Sequence, residues 1–118
     1  MNWLAERLQS FGHALRGIRC LLVEEPHAQV HLVATGLVCV AGWWLELQRG
    51  DWQILVLTIA LVWLAEGLNT ALEHLSDAAV PEQHPLIGKA KDVAAGAVLV
   101  TAVFALIMGG LIFMPYLI

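Results

Sequence analysis

The sequence predicts an all-α integral membrane protein: an N-terminal amphipathic surface helix followed by three transmembrane helices. Three observations carry this. Hydrophobic residues make up 59% of the 118, and the mean hydropathy is +0.74. Charged residues are only 14%, where a soluble domain carries about 25%. The apolar residues also fall into long runs separated by short polar segments. The length suits one domain over residues 1–118. A net charge of −4 argues against nucleic acid as a partner. Cys20 and Cys39 have no metal-ligand spacing and read as small apolar side chains. No cleavable signal peptide is visible, because Glu6, Arg7, His13, Arg16 and Arg19 interrupt the first apolar residues.

Residues 1–25 form the surface helix. Trp3, Leu4, Leu8, Phe11, Leu15, Ile18 and Leu22 recur at spacings of three and four, giving one apolar stripe. Arg7, His13, Arg16 and Arg19 supply a basic side, the pattern of a helix lying in a membrane interface. Pro26 disfavours helical geometry at Glu25 and sets a break there. Residues 28–47 form the first span, with Trp43 and Trp44 near its far end as interface anchors. After a polar turn, the second span begins at Trp52, and its helix continues to about Ala79, past the membrane surface. Residues 80–90 read as a loop, punctuated by Pro81, Pro85 and Gly88. The third span occupies 91–114, with Ala94–Ala97 allowing close helix packing and Pro115 ending it. The basic residues put the N-terminus and the 80–90 loop in the cytoplasm.

The chemistry gathers on the second span. Glu66, Asn69, Thr70, Glu73 and Asp77 share one helical face that begins where the chain should still lie in lipid. A carboxylate at that depth costs roughly 2.5–3.5 kcal/mol on insertion scales, which makes it a functional-site candidate. Glu24 and Glu25 before the first span, and Lys91 and Asp92 at the third, bring further charge to the same level. Glu25 and Glu73 are a pair able to hold Mg²⁺, which takes carboxylate, water and phosphate oxygens. Lys91 can neutralise phosphate, and Glu66 can accept a proton from a lipid hydroxyl. Those parts serve phosphoryl transfer, while a non-enzymatic proton or ion path would also use buried carboxylates. The five histidines fit no compact metal site. The tryptophans suit interface anchoring better than a cofactor box.

The stretch Glu66-Gly67-Leu68-Asn69-Thr70-Ala71-Leu72-Glu73-His74-Leu75-Ser76-Asp77 resembles the signature of the prokaryotic diacylglycerol kinase family, Glu-x-x-Asn-[Ser/Thr]-Ala-x-Glu-x-x-x-Asp. Residues 90–98, Ala-Lys-Asp-Val-Ala-Ala-Gly-Ala-Val, resemble its second motif. The resemblance implies a homotrimeric lipid kinase of the bacterial inner membrane, with shared active sites on the cytoplasmic face and ATP–Mg²⁺ as donor. By position, it implies Glu66 as catalytic base and Glu25 and Glu73 as metal ligands. Asn69, Lys91 and Asp92 fall on nucleotide- and phosphate-contacting positions, and Asp77 falls on the final acid of the signature. Residues 81–86, Pro-Glu-Gln-His-Pro-Leu, are similar to the undecaprenol kinase branch, as is His31 six residues after Glu25. That branch often carries Asn and Arg where this chain has His27 and Gln29. The loop motif favours undecaprenol over diacylglycerol as the lipid alcohol.

Overall fold

The computed structural model describes residues 2–118, and every regular element among them is a helix. Helix α1 spans Trp3–Glu24, α2 Pro26–Trp44, α3 Arg49–Ala79 and α4 Pro85–Leu117. The assembly is flat and open, 52 × 44 × 21 Å.

Helix α1 starts at Asn2, whose side-chain Oδ1 accepts the Leu4 amide at 3.0 Å as an N-cap. It has no buried residue, and Trp3, Leu4, Leu8, Phe11, Leu15 and Ile18 all stand exposed along its apolar stripe. Glu25 is the single extended residue between α1 and α2, with φ −105° and ψ 112°. Pro26 imposes that geometry and then occupies the first turn of α2, where its missing N–H is not needed.

The polar turn after α2 is shorter than the sequence suggests. Leu47 N–H donates to Gly42 C=O and Glu46 N–H to Trp43 C=O, the paired bonds of a Schellman cap, with Glu46 at φ 56° in the left-handed position. Helix α3 then begins at Arg49 rather than Trp52, with Asp51 in its first turn. A carboxylate there meets the positive end of the helix dipole.

Helix α4 also departs from expectation. It begins at Pro85, so the connection after α3 is only residues 80–84. His84 Nδ1 accepts the Leu86 amide at 3.1 Å, and Pro85 sits in the first turn, so the residues that look like loop punctuation are a helix start. Nor does Pro115 end α4. It lies inside the last turn, where few backbone bonds remain to be lost, and the helix runs on to Leu117.

Helices α3 and α4 are long and apolar enough to cross a membrane, with mean hydropathies of 1.8 and 2.6 over an 18-residue stretch of each. They are tied at both ends. At one end Lys91 Nζ lies 2.5 Å from Asp77 Oδ1. At the other, Tyr116 Oη donates to Asp51 Oδ2 at 2.5 Å and accepts the Gln48 amide at 3.1 Å. That bond to the Asp51 carboxylate pushes the phenol pKa up. At about 1.5 Å per residue the stretch from Lys91 to Tyr116 is about 38 Å long, enough to cross a hydrocarbon core of about 30 Å. The small packed core, Leu47, Leu55 and Ile112 with Trp52, Ile59 and Phe113 against it, lies toward the Tyr116 end. Much of the remaining apolar surface, including Leu99, Phe104, Leu106 and Leu111 of α4, is exposed.

Candidate active site

The candidate site is built on the other half of α3. Glu25, at the α1–α2 elbow, meets His74, with Nε2 3.1 Å from Oε1. Further along α2, His31 Nε2 lies 3.3 Å from Glu66 Oε2. Further still, Trp63 Nε1 donates to Thr35 Oγ1 at 3.0 Å. Each advance along α2 is matched by a retreat along α3, so the pairs fix the register of two antiparallel helices. Gly67 brings α1 close as well: a Cβ there would meet Leu21 Cδ2 at 3.8 Å.

Glu66 is 2% exposed, on a helix of membrane-spanning length. Thr70, one turn on, is 7% exposed. Asn69 is half-buried, and its Oδ1 is buried without a hydrogen-bond partner. A buried amide oxygen in that state costs about 1–3 kcal/mol and fits a site that acquires a donor on binding. Glu73 is half-buried, whereas Asp77 and Asp92 are exposed. Lys91 sits between α4 and the polar face of α3. Its ammonium donates to Asp77 Oδ1.

The predicted residues thus fall along one ladder. Glu66 is the buried end, Glu73 lies two turns on at a rise of roughly 10 Å, and Asp77 with Lys91 lies at the other end. Glu25 joins the ladder through His74 rather than through Glu73. No group of three or more His, Cys, Asp or Glu side chains positioned to hold a metal occurs among the described residues. The carboxylate oxygens of Glu25 and Glu73 still suit Mg²⁺, which commonly takes one or two carboxylates and completes its shell with water and phosphate. The sequence did not single out His74 or Trp63 as site neighbours. The signal was their spacing on α3 against Glu25 and Thr35 on α2, and it emerges only once the antiparallel register is known.

Beside His31 an apolar crevice with a volume of about 270 Å³ runs between α2, α3 and α4. Its walls include Thr35, Val38, Ile59, Val62, Ala105 and Gly109.

The family model described as prokaryotic diacylglycerol kinase matches residues 12–113, most of the chain and every residue of the ladder. The chain belongs to that family. It is a membrane lipid kinase with ATP as phosphoryl donor. The kinase is 43% identical over 116 residues to the undecaprenol kinase of Bacillus subtilis (strain 168), covering 98% of this chain and 94% of that enzyme. It is 38% identical over 109 residues to the diacylglycerol kinase of Synechocystis sp., covering 92% and 62%. To the diacylglycerol kinase of Escherichia coli (strain K12) it is 31% identical over 100 residues, covering 85% and 82%.

Proposed function

We infer that this kinase phosphorylates undecaprenol at the cytoplasmic face of the bacterial inner membrane, as a homotrimer with three spans per chain. The observation that carries the reading is the burial of Glu66 at the lipid end of a ladder whose other end holds Lys91. Such an arrangement lets a hydroxyl at the membrane interface meet a polyphosphate entering from water. The undecaprenol assignment is supported by the 43% identity to the Bacillus subtilis enzyme over nearly both whole chains and by the loop from Pro81 to Leu86. Diacylglycerol is the second lipid, because relatives of that name match over most of this chain.

Residues 28–47 are the first span, 52–79 the second with its cytoplasmic extension, and 91–114 the third. The exposed apolar faces of α2, α3 and α4 then meet lipid or neighbouring subunits. The N-terminus and residues 80–84 face the cytoplasm.

In the reaction, the lipid oxygen attacks the γ-phosphorus in line, and Glu66 takes the hydroxyl proton. The bond from γ-phosphorus to the β–γ bridging oxygen breaks, and ADP leaves with the electron pair. Lys91 offsets negative charge on the phosphates. Asn69 and Asp92 position the nucleotide, and Asp77 holds Lys91 toward α3. Glu25 and Glu73 would hold Mg²⁺, which supplies charge neutralisation at the phosphate oxygens when bound. The open crevice beside His31 offers hydrocarbon-lined space for a lipid chain whose hydroxyl lies near Glu66.

The test is transfer of label from γ-labelled ATP in mixed micelles, with undecaprenol and diacylglycerol offered separately and Mg²⁺ present or removed. The reading predicts labelled undecaprenyl phosphate, lost on Mg²⁺ removal. Label in diacylglycerol alone would reverse the lipid assignment.

A further inference from the structure

Glu66 has to present one carboxylate oxygen to the substrate while almost none of its side chain touches water. Its side chain is 3% exposed, and the polar group that approaches it is the His31 ring, with Nε2 3.3 Å from Oε2. That contact leaves Oε1 as the oxygen free to face a substrate. The His31 ring is itself held on two sides. It packs edge-on against Trp63, with centroids 6.4 Å apart and planes at 66°. The Trp63 N–H donates to Thr35 Oγ1 at 3.0 Å, and that hydroxyl donates to the His31 carbonyl at 2.7 Å. The indole and the hydroxyl therefore close a loop between α2 and α3 around the imidazole. Carboxylate, imidazole, indole and hydroxyl form a connected polar unit inside an otherwise apolar helix pair. Such units are kept rigid when each member is satisfied.

We propose that His31 is a positioning residue for Glu66: its Nε2, 3.3 Å from Oε2, pairs with the carboxylate and holds it so that Oε1 points at the lipid hydroxyl, with Thr35 and Trp63 fixing His31 in turn. The proposal rests on Glu66 being the base. Among the described residues, His31 is the side chain that pairs with the Glu66 carboxylate. Misplacing a reacting group by an ångström costs on the order of 10²-fold in rate. Because the contact is made with the base and not with the nucleotide, its loss acts on turnover rather than on ATP affinity.

The test compares His31→Leu, which keeps bulk and removes the donor, with His31→Gln, which keeps an N–H donor on a similar reach. Each is assayed in mixed micelles for kcat and for the KM of ATP beside Glu66→Gln. The expected result is a loss in kcat on the order of 10²-fold for His31→Leu, a KM for ATP within about twofold of the parent, and recovery of most of the loss in His31→Gln. Trp63→Phe keeps the ring contact and frees Thr35. It carries the test should His31→Leu fail to assemble, and its kcat is expected to fall with KM for ATP unchanged. Near-parental kcat in His31→Leu, or a His31→Gln variant no better than His31→Leu, overturns the proposal. So does near-parental kcat in Trp63→Phe where that variant carries the test. Turnover surviving in Glu66→Gln instead overturns the base assignment itself, so the two failures are distinct.

Discussion

Lys91 on α4 and Asp77 on α3 meet 2.5 Å apart, and this contact places a lysine at the end of a carboxylate ladder that starts at the buried Glu66. Asp77 is 70% exposed, so the pair contributes little to stability and its weight falls on where the ammonium sits. Lys91→Ala should lower phosphoryl transfer on the order of 10²-fold, as removal of a group stabilising transferred charge does. Asp77→Asn keeps a hydrogen-bond acceptor and should cost far less. Steady-state assays that show equal losses for the two would contradict this division.

Glu25 owes its place to Pro26, which leaves it extended at the elbow, and to His74, which holds its carboxylate at 3.1 Å. Glu25→Gln should raise the Mg²⁺ concentration for half-maximal activity. His74→Ala should raise it less, roughly tenfold, the low end of the range for partners of metal ligands. A Mg²⁺ titration with superimposable curves for parent and Glu25→Gln would remove Glu25 from the metal site.

At the opposite end, Gly42 packs under Leu47 and Trp52, and a Cβ there would fall 2.8 Å from Leu47 Cδ1 and 2.9 Å from Trp52 Cη2. The indole is rigid and caps the small core, so it cannot move aside cheaply. Gly42→Val should destabilise the fold by about 1–3 kcal/mol, the ordinary cost of overpacking. It should leave the KM for ATP of the surviving protein unchanged. Thermal unfolding in detergent reads the first effect and steady-state kinetics the second.

Glu46 occupies the left-handed position of the Schellman cap at φ 56°. Glycine carries no Cβ penalty there, so Glu46→Gly should stabilise by about 1 kcal/mol. An unchanged or lower melting temperature would mean that the Glu46 side chain contributes enough elsewhere to offset its backbone strain.

The helices and the ladder were legible in the sequence because each is a local periodic pattern. The stripe from Trp3 to Leu22 gave α1, and the offsets among Glu66, Asn69, Glu73 and Asp77 gave the polar face of α3. What was not legible depends on context. Pro85 and Gly88 look like loop residues until His84 is seen capping the helix that Pro85 opens. Pro115 looks like a terminator, yet α4 continues and delivers Tyr116 to Asp51. Glu46 gives no hint of a left-handed turn, which a glycine would have announced. The pairings of Glu25 with His74 and of His31 with Glu66 depend on the register of α2 against α3, which no single helix encodes.

The measurement that tests the account most directly is Glu66→Gln, assayed for turnover and for nucleotide binding in the same preparation. The account predicts that transfer of label from γ-labelled ATP to undecaprenol is abolished while binding of Mg²⁺–nucleotide persists. Near-parental turnover in Glu66→Gln would contradict the placement of the base at the buried end of the ladder.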